Sequence, residues 1–346
     1  MTDIVATFWR ESKIYFFSAV TWLILLTLFA GPALAVGKIG ADSFYSRGEA
    51  LVKQGRVAAA IKEFERAVQL NPANTGMRTR LAWLLLDQNQ PASALSQFER
   101  LVSQRPQDKT AISGMAICYL KLGQPERAVV VLNRGLQGLP MDTLLLKLKG
   151  EALSSRRETA GEAVKVYDEL LKMEPGKVEW TKARQTAARL AASNSYYEAQ
   201  AYLKKGDRAA ALRAFKSALE YEPEAIGYRT HYGWVLLEDG QVIEAIQAFQ
   251  EVLRLDPNKK DAYLGLALAQ LRHGKPAEAL KTTGRGLELF PDEVQLLEVQ
   301  AGAARARPET LPLAVETYQR LLALRPGDAQ VSCSTPISAR RKSSSS

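Results

Sequence analysis

The chain has 346 residues, 47% apolar and 24% charged, which is enough apolar material for a sizeable core and excludes a wholly disordered chain. Its formal charge of +9 is thinly spread: residues 41–177 carry 20 basic and 15 acidic groups, residues 192–328 carry 17 and 19. The concentrated basic stripe of a nucleic-acid binder is absent, and two cysteines make no disulfide framework.

In chain order, residues 1–13 are polar and end in Arg10, Glu11 and Lys13. Ile14 to Ala30 holds no charge, Gly31-Pro32 breaks any helix there, and Ala33-Leu34-Ala35 follows. A basic start, an apolar run, a helix breaker and small residues in A-x-A form are the pattern of a secretory signal. Residues 1–35 are therefore expected to be either a cleaved signal peptide or an uncleaved N-terminal transmembrane anchor. Arg10 and Lys13 keep the N-terminus inside the cytoplasm. Both readings carry the rest of the chain across a membrane, to a periplasmic or other extracytoplasmic location.

Beyond Ala41 the chain repeats itself. Prolines that follow an apolar helical run fall at Pro72, Pro106, Pro140, Pro175, Pro223, Pro257, Pro291 and Pro326, at intervals of 34, 34, 35, 48, 34, 34 and 35. Each lies where a helix must end, since proline cannot continue the intrahelical bonds. Counted back from these prolines, one position is always small: Gly48, Ala82, Ala116, Gly150, Ala199, Gly233, Ala267 and Ala301. Sixteen residues further on stand Phe64, Phe98, Leu132, Phe215 and Phe249, with Tyr167 and Tyr318 displaced by one and Thr283 in the seventh unit. A small residue lets two helices approach, and a large ring fills the space beside it. Gly55, Gly123, Gly206, Gly240 and Gly274 mark the turns between paired helices.

These residues, at this spacing, resemble the tetratricopeptide repeat, a helix–turn–helix unit. The resemblance runs from Ala41 to Asp328. It implies an all-α fold, a right-handed α-solenoid of eight units. The fourth and eighth units depart from it by one extra residue between their helices, in SSRRETAGEA and ARARPETLPLA.

The prolines also pair at a constant interval of 151, and Arg78, Thr79 and Trp83 return as Arg229, Thr230 and Trp234. The expected organisation is a duplicated block of four repeats. Repeats occupy 41–177 and 192–328, a connecting segment lies at 178–191, and a disordered basic, Ser-rich tail at 329–346. Trp180, Ala183, Ala187 and Leu190 share a helix face, so 178–191 is read as one extra helix, with a flexible linker as the alternative.

Little in the sequence carries chemistry. There are two histidines, no Cys/His cluster at metal-ligand spacing, and no P-loop, dinucleotide or G-x-S-x-G motif. No enzyme, no cofactor and no metal are expected. What remains is a binding surface. In the family, the first helix of each unit lines the inner, concave face. The resemblance places Tyr45 and Lys53 there in the first unit, Thr79, Arg80, Trp83 and Leu86 in the second, and Lys121 in the third. The second block adds Tyr196, Tyr197, Lys204, Thr230, His231, Trp234 and Arg272. Tyr, Trp and Arg dominate interface hot spots, since a rigid ring loses little entropy and an Arg fork bonds bidentately. Trp83 and Trp234 read either as two related groove pockets or as packing between helices. The expected function is a scaffold holding a peptide or partner protein in the groove. The alternatives are a self-associating envelope component and a polysaccharide-binding accessory protein.

Overall fold

The structure is a computed structural model, and it describes residues 38–326. The signal-like segment and the basic tail lie outside the described residues. Within them the protein is all helix, apart from turns. The helices are α1 (38–53), α2 (Val57–Leu70), α3 (Thr75–Asp87), α4 (Pro91–Gln104), α5 (Lys109–Lys121), α6 (Pro125–Gly138), α7 (Thr143–Ser154) and α8 (Ala160–Met173). They continue as α9 (Val178–Lys204), α10 (Arg208–Tyr221), α11 (Ile226–Glu238), α12 (Val242–Leu255), α13 (Lys260–Arg272), α14 (Pro276–Leu289), α15 (Val294–Arg305) and α16 (Leu311–Leu324). No described helix is long and apolar enough to cross a membrane.

The punctuation is local chemistry. Every repeat proline stands two residues beyond the end of an even-numbered helix. Asn74, Asp108, Asp142 and Asp207 cap α3, α5, α7 and α10, each side chain accepting a bond from a first-turn backbone N–H. Pro91, Pro125 and Pro276 open α4, α6 and α14, where the missing N–H costs nothing. The turn between α1 and α2 closes on Gly55 with φ of 74°. At the matching place before α4 stands Asn89, left-handed at φ 55°, because a short amide side chain tolerates that conformation. The extra residue of the fourth and eighth units is absorbed in the same way twice, as a 3₁₀ turn over Arg157–Thr159 and another over Pro308–Thr310.

The chain divides into two units. One runs to Arg156 and continues over Glu162–Thr181; the other holds Arg157–Gly161 and the chain from Lys182. In the first unit Phe64, Phe98, Leu132 and Leu145 are wholly buried along one continuous core. The second is built around Phe215 and Phe249, with a further cluster of Tyr263, Leu296, Ala301 and Tyr318. A methyl on Gly48 would stand 2.8 Å from the Phe64 ring, and one on Gly150 would stand 2.6 Å from Tyr167. The small residue and the ring are therefore a fitted pair. Where the seventh unit replaces the ring by Thr283, that side chain is buried and its hydroxyl donates to the carbonyls of Ala279 and Leu280. Ala304 of the eighth unit is wholly buried.

Candidate functional site

Helices pack within and between hairpins. Each of α3·α4, α5·α6, α11·α12, α13·α14 and α15·α16 forms an antiparallel pair. Beyond these pairs, α3 touches α5, α5 touches α7, α11 touches α13 and α13 touches α15. Successive hairpins pack chiefly through an even helix and the odd helix that follows it, as α4 on α5 and α12 on α13, and the odd-numbered helices, touching more lightly, form one layer of each unit. The sequence-predicted site residues stand on this layer.

In the first unit, Tyr45 rests on Phe64 with ring centroids 5.2 Å apart, and Trp83 meets Phe98 edge-on at 5.2 Å. Both aromatics are half-buried, with one flank packed on the core and the other left at the surface. Arg80 on α3 grips Glu49 on α1 with both arms, Nε to Oε1 at 2.6 Å and Nη2 to Oε2 at 3.2 Å. This bond is the main reason the Glu49 carboxyl lies below the usual carboxylate range. Burial and the Glu49 charge together raise the neighbouring Tyr45 phenol, against the pull of Arg80. Lys53 and Lys121 are exposed. Thr79 spends its hydroxyl on the Thr75 carbonyl at 2.8 Å. Leu86 is only 4% exposed and belongs to the core.

The second unit holds an aromatic cluster at the corresponding place. Tyr196 stacks on Tyr228 at 4.7 Å and on His231 at 5.6 Å, and meets Tyr197 edge-on at 5.9 Å. Its phenol oxygen lies 2.7 Å from His231 Nδ1 and accepts a bond from Gln200 Nε2 at 3.3 Å. Tyr196 in turn rests on Phe215, and Trp234 on Phe249 at 5.3 Å. Tyr197 is 57% exposed, with the Arg157 guanidinium 5.6 Å from its ring centroid. Lys204 is exposed. Thr230 is buried and bonded to the Ile226 carbonyl, so it offers no free group. Arg272 donates to the Leu237 carbonyl at 2.8 Å, satisfying the last turn of α11.

Each unit thus brings together its ring pair and its polar partner from two neighbouring odd helices. The contrast lies in the polar partner. Glu49 and Arg80 of the first unit become Gln200 and His231 in the second, 151 residues on. Among the participants outside the predicted set are Glu49 and Tyr228. Glu49 is visible only through a pairing across 31 residues, and Tyr228 only as an aromatic at the third residue before His231. No group of three His, Cys, Asp or Glu side chains that could hold a metal occurs among the described residues.

Fold and site together define a helical repeat protein whose odd-helix layer is lined with aromatics. Two family models described as tetratricopeptide repeat match the chain, one over residues 51–111, 85–152 and 236–302, the other over 196–260. The chain belongs to the tetratricopeptide repeat family, whose members are in general protein-interaction scaffolds. Among curated proteins it is similar to the protein CTR9 homolog of Arabidopsis thaliana, 31% identical over 98 residues, covering 28% of this chain and 9% of that protein. It is also similar to the cellulose synthase operon protein C of Pseudomonas fluorescens, 30% identical over 105 residues, covering 30% of this chain and 8% of that one. The match thus spans under a tenth of either curated relative. Among solved structures, a tetratricopeptide repeat protein from Parabacteroides merdae aligns with a TM-score of 0.41 at 15% identity, over 76% of this chain and 98% of that one. The complex of the TPR2AB domain of yeast Sti1 with pHSP90 aligns at 0.42 and 19% identity, again over 76% and 98%.

Proposed function

We propose that this protein is a non-catalytic scaffold that holds a peptide or partner protein against its odd-helix layer, outside the cytoplasm. The observation that carries the binding reading is the pairing of half-buried rings with polar groups at one layer in both units. Trp83 and Trp234 are braced on Phe98 and Phe249, so their orientation is set before a partner arrives. Preorganised rings lose little entropy on binding, and this is the physical basis of an anchor. The extracytoplasmic reading rests on the uncharged run Ile14 to Ala30 and the following Ala33-Leu34-Ala35.

The two layers select different chemistry. In the first unit the exposed Lys53 and Lys121 favour a partner segment carrying carboxylates, while Arg80 is already paired with Glu49. In the second, Tyr196, Tyr197 and Tyr228 favour rings or proline. The test is affinity capture from the cell envelope with the intact protein. The captured partner is then titrated against Lys53→Glu with Lys121→Glu, and against Tyr197→Ala with His231→Ala. All four residues are exposed, so helical circular dichroism stays constant. A partner that keeps its affinity for both double variants sinks the groove reading. Sequencing the N-terminal peptide of the captured protein shows whether residues 1–35 were removed.

A second reading follows from the same rings. Tyr196, Tyr197 and Tyr228 form a platform on which a sugar ring could stack, which would make the protein a polysaccharide-binding accessory. That reading expects glycan-dependent fluorescence changes lost in Tyr197→Ala, with no protein partner captured.

A further inference from the structure

We propose that the cleft between α2, α3 and α4, at Arg78, binds a tetrahedral oxyanion of the phosphate class. The cleft has a volume of about 250 Å³, and its polar lining includes Arg78, Arg100, Gln97, Gln69 and Glu65.

Arg78 is 2% exposed, and a guanidinium keeps its charge under all ordinary conditions. Nη1 donates to Gln97 Oε1 at 2.9 Å and Nη2 to the Pro72 carbonyl at 2.9 Å. Both acceptors are neutral. Nε is buried with no acceptor at all. Burial pulls Arg78 below the ordinary arginine range, and the positive charge of Arg100 adds to the pull. Arg100 is exposed and makes no ion pair among the described residues. A buried charge without a counter-charge is costly, so the cleft gains from any anion that reaches it.

The internal duplication supplies a comparison. Arg229, 151 residues after Arg78, makes the same bond to the carbonyl of its own loop proline, Pro223, and its Nε is likewise buried without an acceptor. There, however, the residue matching Arg100 is Glu251. Arg229 contributes to holding that carboxyl low, after Arg254, which bonds it directly. The second unit therefore carries its own counter-charge, and the first has a second guanidinium in that place. Two guanidinium groups lining one cleft, one of them with a buried and unpaired Nε, are a set that a multiply charged oxyanion satisfies, since a guanidinium bonds oxyanions through a charge-assisted fork. Glu65, exposed on α2, is the one carboxylate of the lining and opposes the anion.

The experiment is a thermal melt of the full chain, with inorganic phosphate raised to tens of millimolar against sodium chloride at matched ionic strength. The expected result is a rise of about 2–4 °C in the melting midpoint. Arg100→Glu, which installs the arrangement of the second unit, should melt higher than the wild type in chloride and lose the phosphate response. Glu65→Gln should keep or enlarge the response. A wild-type midpoint indifferent to phosphate overturns the proposal, as does an unchanged response in Arg100→Glu. A lower midpoint in chloride for Glu65→Gln would make Glu65 the counter-charge and also overturn it. Acetate at the same ionic strength should leave the midpoint unmoved; an equal rise would replace the tetrahedral assignment by a simple carboxylate site.

Discussion

At the scale of single residues, the rings of Phe98 and Phe249 do the most. Each receives a Trp from its own hairpin and a glycine from the next, Gly114 and Gly265. A methyl on either glycine would lie 2.3 Å from the ring. Gly114→Ala should therefore destabilise the protein by about 1–3 kcal/mol through overpacking. Gly284, helical and with nothing within 4 Å of its would-be methyl, is the control. Gly284→Ala should stabilise by about 1 kcal/mol, from the helix propensity of alanine. Urea titration of both variants reads the opposite signs. Cys118 gives a prediction in pH. It is buried in α5, and burial pushes its thiol up to about 11. An acid whose folded pKa is raised favours the folded state while it stays protonated. That contribution is complete below the ordinary thiol range and is lost as pH rises from about 9 through about 11. The difference in stability between the wild type and Cys118→Ala should shift by about 2–3 kcal/mol over that window, against the wild type. A difference that stays flat from pH 8 to 11 contradicts this.

At the scale of elements, the helix pairs were legible because each boundary has a local chemical cause. The prolines, the small position and the turn glycines all act within a few residues of where they stand. Asn89 escaped that reading, since an asparagine in a turn gives no sign that it will adopt a left-handed backbone. The site was less legible. Tyr45, Trp83, Tyr196 and Trp234 could be placed by repeat position, but Leu86 and Thr230 occupy the same kind of position and are buried. Which inward residues reach the surface depends on how the next hairpin covers them, and no single-repeat pattern contains that. The segment 178–191 shows a different limit. Structurally it is the first half of α9, which runs unbroken to Lys204, because nothing between Leu190 and Ala192 stops a helix. Trp180 fixes its start. The indole is 3% exposed, donates to Glu174 Oε2 at 2.9 Å, and lies under the Lys177 ammonium at 4.5 Å. Trp180→Ala should cost about 3–5 kcal/mol. Trp180→Phe keeps the packing, loses the N–H bond and should cost about 1 kcal/mol. Equal losses in the two variants, read from denaturant midpoints at constant slope, would assign the anchoring to the hydrogen bond and not to the ring.

At the scale of the whole molecule, the consequence of a repeat design is that cores are local. Each hairpin touches its neighbours and little else, so stability is a sum of nearest-neighbour terms. One core cluster of the first unit runs from Ala41 to Ala152, and two clusters of the second form separately around Phe215 and Tyr318. Damage to one hairpin should therefore spread only a short way. Leu101, 1% exposed in α4, is a suitable probe. Leu101→Ala removes buried methyl groups from the seam that α4 shares with α3 and α5, at a cost of about 2–5 kcal/mol. In hydrogen exchange, amides of α3, α4 and α5 should lose protection first, and those of α12 to α14 should keep their wild-type rates. The same substitution at Val252, the matching buried residue of the second unit, should give the mirror-image map. If Leu101→Ala deprotects α12 to α14 to the same degree as α4, the chain unfolds as one cooperative body and the nearest-neighbour account fails. If protection is lost only locally, the odd-helix layer of each unit can be loosened or tightened without the other. Under the proposed function, that independence would let the two units hold partner segments of different chemistry.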